Sequence, residues 1–98
     1  MTGVARDIAD SLTYAEHAGL IFCNDEHPGY SRVGTAQGVA YRDEHGRPIK
    51  DSATLARIAA LAIPPAWTDV WICPRADGHI QAIGRDAKGR KQYRYHHD

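Results

Sequence analysis

Turn-forming clusters cut this chain into short pieces, and that punctuation narrows the available folds more than any other feature. NDEHPG follows Cys23, DEHGR follows Arg42, PRADG follows Cys73 and DAKG follows Arg85. The runs between them are strand-length, and short strands joined by tight turns pair antiparallel. Leu20–Cys23, Val70–Cys73, His79–Ile83 and Arg90–His96 read as strands, and Val39–Arg42 reads as a hairpin with Pro48–Lys50 across DEHGR. Between Pro28 and Gly38 the composition is Gly, Ser, Thr and Arg with little apolar content, which predicts a mobile connection.

Two segments carry a helical period. Ala5, Ile8, Leu12 and Ala15 fall at spacings of three and four, so residues 5–18 read as an amphipathic helix closed by Gly19. Residues 52–62 read as a second, with Asp51 or Ser52 at its N-cap, Leu55, Ile58, Ala59 and Ala62 on one apolar face, and Pro64 and Pro65 ending it. The expectation is an α+β domain, a small antiparallel sheet with two or so short helices. Residues 1–18 form a helical extension and 19–98 the domain proper. No internal repeat or low-complexity tract is evident.

A chain of 98 residues with 43% hydrophobic content has room for one core, since a domain this small buries only about two-thirds of its unfolded surface. No stretch approaches the apolar length of a membrane span, and the N-terminus lacks the basic and apolar regions of a secretory signal. An intracellular, cytoplasmic protein is expected. Cys23 and Cys73 stand far apart with no CxxC spacing, which points to two buried or half-buried thiols rather than a disulfide framework or a zinc cluster.

The formal net charge is zero, yet its distribution is uneven. Arg85, Lys88, Arg90, Lys91 and Arg94 face only Asp86 within residues 85–94, a net of +4, so the remaining 88 residues sum to −4. A basic stripe on an acidic body localises and orients a polyanion. Alternation along the last strand puts Lys91, Tyr93 and Tyr95 on one face and Arg90, Gln92 and Arg94 on the other. Both faces are polar, unlike a strand that fills a core. DNA supplies a reason for each residue type: Lys and Arg pair with phosphates, Tyr hydroxyls bond phosphate oxygens, and Gln reads a base edge. Half-buried strand tyrosines beside a solvated charged face would produce the same pattern.

The segment from Ile63 to His96, IPPAWTDVWICPRADGHIQAIGRDAKGRKQYRYH, resembles the end of the N-terminal domain in the bacterial and poxvirus branch of type IB DNA topoisomerases. GLIFCNDEHPGYSR, GVAYRDEHGRPIKD and TLARIAALAIPPAW extend the likeness back to Gly19. The resemblance implies a five-stranded antiparallel sheet with short helices, one lobe of a two-lobed clamp lying on the major-groove side of duplex DNA. The family's KGRxQYxY motif maps onto Gln92, Tyr93 and Tyr95 as DNA contacts, with Lys88 and Arg90 at its basic positions; Lys91 and Arg94 join them as expected phosphate contacts. Because alternation turns Gln92 away from the tyrosines, a twist, bulge or edge position is needed for all three to touch one duplex. The implied reaction is tyrosine attack on a phosphodiester, a 3′-phosphotyrosyl link, strand rotation and religation, with no ATP, metal or other cofactor. Its catalytic residues belong to a C-terminal catalytic domain of the same polypeptide, so none is expected in these 98 residues, and the expected partners are duplex DNA and that domain. A monomeric, nucleoid-associated protein with no membrane partner is implied.

Three other readings compete. Tyr93 or Tyr95 as a nucleophile, helped by Lys91, Arg94, His96 or His97, requires neighbours on alternating faces to converge on one phosphate. Cys73, His79, His96 and His97 as metal ligands lack the short-loop spacing of zinc sites, so surface histidines are the simpler account. A protein-interaction module would use the stripe of Ile8, Leu12 and Ala15, which more often packs intramolecularly. Trp67 and Trp71 read as core or sheet-face residues, and His17, His27 and His45 show no partners in the sequence.

Overall fold

The computed structural model describes Leu20 and residues 23–96. The helix expected over residues 5–18, the middle of the expected strand Leu20–Cys23, and His97 lie outside the described residues. Five strands, β1 (Tyr30–Thr35), β2 (Gly38–Arg42), β3 (Thr68–Ile72), β4 (Ile80–Arg85) and β5 (Lys91–Tyr95), form one antiparallel sheet in the order β2-β1-β3-β4-β5. The antiparallel α+β expectation holds. Among the described residues there is one short helix, α1 (Ser52–Ala60), inserted between β2 and β3, rather than two.

The segment expected to be a mobile connection is a strand. β1 pairs with β2 from Ser31↔Arg42 to Thr35↔Gly38 and with β3 through Tyr30↔Ile72 and Ser31↔Trp71, so it lies inside the sheet. Its polar sequence conceals the strand because Arg32, half-buried beside Tyr41, takes a place on the helix side of the sheet. The Arg32 guanidinium donates to the carbonyls of Ile63, Pro64 and Trp67 at 3.3, 3.0 and 2.8 Å, pinning the Pro-Pro corner to the sheet. The expected hairpin across DEHGR is present in short form, as a bridge between Arg42 and Pro48 with bonds from Asp43 N–H to Arg47 O and from Ile49 N–H to Tyr41 O, on the edge of β2 away from β1.

Helix α1 starts where Asp51 accepts from the Thr54 N–H at 2.9 Å, satisfying one of the free donors of the first turn. It ends at Ala60, short of the expected residue 62, because Ala62 turns left-handed at φ 51° ahead of the prolines. Ile58 and Leu61 pack with Trp67, Val70, Ile72 and Ala82 on one face of the sheet, flanked by Tyr30, Tyr41, Ile49 and Ile63. A bulge in β3 at Asp69, φ 51°, separates Thr68↔Arg85 from Trp71↔Ile83, sending Val70 to this core and Trp71 to the opposite face. Both tryptophans are sheet-face residues, as expected.

That second face carries a smaller core of Cys23, Cys73, Ile80 and Ile83, with Trp71 against it. Residues 23–29 cross it as a strap. The Trp71 indole donates to His27 O at 2.9 Å, and a Cβ on Gly29 would stand 2.1 Å from the indole nitrogen, so only glycine lets the strap lie this close.

A repeat absent from the sequence expectation appears at the two tight turns. RDEHGR and RDAKGR fold alike: Asp43 and Asp86 each accept two backbone N–H bonds at 2.9 Å, from His45 and Arg47 in one turn and Lys88 and Arg90 in the other. In both, the glycine, Gly46 or Gly89, takes φ 78°, and the leading arginine, Arg42 or Arg85, donates to that glycine's carbonyl. The repeat is six residues long, one Asx-type loop used twice, and not a repeated domain.

Candidate nucleic-acid interface

Among the described residues strand β5 is an edge of the sheet, its ladder formed with β4. Its side chains alternate as expected. Ile83↔Tyr93 and Arg85↔Lys91 fix Lys91 and Tyr93 on the strap face, and Tyr95 joins them opposite Ile80. The step from Ile80↔Tyr95 to Ala82↔Arg94 leaves Gln81 as an extra residue in β4. The bulge lies in the partner strand, so alternation within β5 is kept and Gln92 stays on the helix side, away from the tyrosines.

On the strap face Tyr93 and Tyr95 are 39% and 53% exposed, and their rings stack with centroids 6.0 Å apart and planes at 22°. The Lys91 ammonium lies 5.8 Å from the Tyr93 ring centroid and 3.1 Å from the Asp25 carboxylate of the strap. Here a cation and two phenol rings make one continuous exposed surface, with apolar ring faces and polar rims.

The helix side of β5 is occupied differently. Arg94 lies 5.5 Å from the Trp67 ring and donates to Ala62 O at 3.3 Å, tying β5 to the end of α1. The Gln92 amide donates to Asp86 Oδ2 at 3.0 Å, and Arg90 pairs with the same oxygen at 2.9 Å. These bonds, with the backbone bonds inside the turn, hold the Asp86 carboxyl at about 2, well below the ordinary carboxylate value; the Arg90 N–H is the largest cause and partial desolvation opposes it. Asp86 thus orders the turn that presents Lys88 and Arg90, while Gly89 lets the chain reverse there. Of the seven sequence-expected contacts, the structure gathers Lys91, Tyr93 and Tyr95 on one exposed face and Lys88 and Arg90 at the adjoining turn. Gln92 and Arg94 look the other way.

The histidines divide. His79 is not a surface residue: it is fully buried, with Nδ1 accepting the Cys23 N–H at 3.1 Å, because the strap needs an acceptor where it meets the sheet. Its sequence signal is slight, a histidine beginning the apolar run HIQAI. Gln81 was also missed. It accepts from Arg57 at 2.6 Å and donates to Arg75 O and Gly78 O at 3.0 and 2.8 Å, fastening the β3–β4 turn to α1. Among the described residues no group of three or more His, Cys, Asp or Glu side chains is placed to hold a metal ion.

Fold and site together define a small α+β domain whose antiparallel sheet presents a basic, aromatic edge strand. The family model for the N-terminal domain of bacterial DNA topoisomerase IB matches residues 38–86, half of the chain, from the start of β2 to the Asp86 turn, and the chain belongs to that family. A 39-residue stretch, 40% of the chain, is 64% identical to part of a DNA topoisomerase 1B of Acanthamoeba polyphaga mimivirus and spans 12% of that relative's length. Strand β5 follows the residues matched by the family model. No helix among the described residues is long and apolar enough to cross a membrane.

Proposed function

We propose that this chain is the DNA-clamping lobe of a type IB topoisomerase, binding duplex DNA while a C-terminal catalytic domain of the same polypeptide cleaves and rejoins one strand through a 3′-phosphotyrosyl link. The observation that carries this reading is the joined surface of Lys91, Tyr93 and Tyr95 on an exposed edge strand, in a domain of a DNA topoisomerase family. Lys88, Arg90 and Lys91 neutralise phosphates. The tyrosine hydroxyls bond phosphate oxygens while their rings cover sugars.

Gln92 and Arg94 take part from the other side. A duplex running along β5 meets the rim of the sheet, where side chains of both faces reach outward, so the clash between alternation and a three-residue contact disappears at an edge position. Gln92 must release Asp86 to reach a base, so its contribution depends on sequence more than that of the tyrosines does. A handful of phosphate contacts resembles non-specific binding, with dissociation constants on the order of 10⁻⁴ to 10⁻⁶ M.

An amide chemical-shift titration of the labelled chain with a short duplex at low and moderate salt tests the proposal. Shifts centred on residues 85–96 that shrink as salt rises are expected. A chain whose amides do not move at low salt is not a DNA-binding lobe on its own. Lys88→Ala should weaken binding by a similar factor, roughly two- to fivefold, on unrelated duplexes and flatten the salt dependence by about one counterion; an effect confined to one sequence would contradict a phosphate contact.

A further inference from the structure

We infer that Cys23 and Cys73 form a redox modification site, in which a hydroperoxide joins the two thiols as an intramolecular disulfide and fastens the strap of residues 23–29 to the end of β3. Although fifty residues apart in sequence, their sulfurs lie 3.6 Å apart, both buried and both free thiols. Closing a bond of about 2 Å between them takes only a small movement of each side chain.

The surroundings favour this bond over other fates of the sulfurs. A Cβ on Gly78 would stand 2.5 Å from Cys73 Sγ and 2.9 Å from Cys23 Sγ, so the backbone walls the two sulfurs into a chamber with no room for a bulky adduct. A small oxidant fits better than a mixed disulfide with a large thiol. The two thiols are also unequal. Cys73 is brought down to about 7 by its hydrogen bond with Cys23, assisted by the Arg75 backbone N–H and the nearby Arg57 guanidinium, against the effect of burial. Cys23 is pushed up by the same contact and by burial. The Cys23 thiol donates to Ile80 O at 3.1 Å, which holds its proton, so Cys73 is placed as the attacking sulfur and Cys23 as the resolving one.

The strap supplies access. Its polar links to the sheet include Cys23 N–H to His79 Nδ1, the Cys23 thiol to Ile80 O, the Trp71 indole to His27 O, and Lys91 to Asp25, and local opening there uncovers Cys73. The Cys73 thiolate attacks one peroxide oxygen, the O–O bond breaks, and hydroxide leaves, giving a sulfenic acid. When the strap recloses, Cys23 sulfur attacks Cys73 sulfur, the S–O bond breaks, and the departing hydroxide takes the Cys23 proton as water. In sum, two thiols lose two electrons and two protons, and one hydrogen peroxide becomes two waters.

The test uses the reduced chain exposed to stoichiometric hydrogen peroxide, then alkylated and analysed by intact mass, peptide mapping and thermal melting. The expected product has lost the mass of two hydrogen atoms, takes up no alkylating agent, yields a Cys23–Cys73 linked peptide and returns to the starting mass with a dithiol reductant. Because the link closes a loop of about fifty residues, its Tm should rise by roughly 10 °C or more. Full alkylation at both cysteines after treatment that oxidises a control dithiol, added oxygen in place of the link, or bonding between two chains would overturn the inference. A linked chain that melts at or below the temperature of the reduced one would overturn the fastening of the strap.

Discussion

Two aspartates restrain the basic strand, and each can be probed alone. Asp25 holds Lys91 at 3.1 Å and would compete with the phosphate of the proposed contact. Asp25→Asn should free the ammonium and raise duplex affinity by about two- to fivefold at low salt, fading at high salt as expected of an exposed pair, as read by fluorescence anisotropy. Asp86 is bound into its turn, and its folded value of about 2 lies below the ordinary aspartate value of 3.8. A depressed carboxyl stabilises the fold fully above its unfolded value and loses that contribution as pH falls through the folded one. The turn carrying Lys88 and Arg90 should therefore loosen only between about pH 4 and pH 2. Carbon-detected titration should put the Asp86 midpoint near the lower end, with the Lys88 and Arg90 amides moving in step; a midpoint near 4 would contradict the turn geometry. What the sequence hid at this scale were residues whose type misleads. His79 and Gln81 are polar yet buried, and Arg32 is half-buried, because each finds backbone or side-chain partners that only the folded chain brings near.

Elements were legible where chemistry repeats along the chain. The cap at Asp51, the apolar face around Ile58 and the alternation of β5 are local patterns and appeared as read. β1 was not legible, since YSRVGT shows no aliphatic alternation and its strand state depends on pairing with β2 and β3 on both sides. The early end of α1 has a comparable cause. Ala62 occupies a left-handed position that favours glycine, at a cost of roughly 1 kcal/mol for a residue with a Cβ. Ala62→Gly should accordingly raise Tm by a few degrees in a thermal melt, without changing DNA affinity. A lower Tm would mean that the methyl group's packing outweighs the relief of backbone strain.

At the scale of the whole molecule, the sheet's order could not be read from the sequence, because it depends on β1 entering between β2 and β3. The approach of Cys23 to Cys73 follows from that order and from the strap, not from any spacing along the chain. The position of β5 at the sheet's edge also decides how copies of this protein treat one another. An edge strand offers a row of open backbone groups, a template on which a second edge can pair. Two β5 strands pairing antiparallel about Tyr93 would set Lys91 of each copy against Tyr95 of the other and Arg94 against Gln92, crowding four cations along one short seam, and that repulsion opposes stacking of edges into fibrils. The double variant Lys91→Ala with Arg94→Ala should accordingly self-associate at concentrations where the parent chain stays dispersed, as seen by light scattering. The charge proposed to draw this edge toward phosphate is thus also a guard on colloidal behaviour, and a variant that loses it gains a tendency to cling to itself.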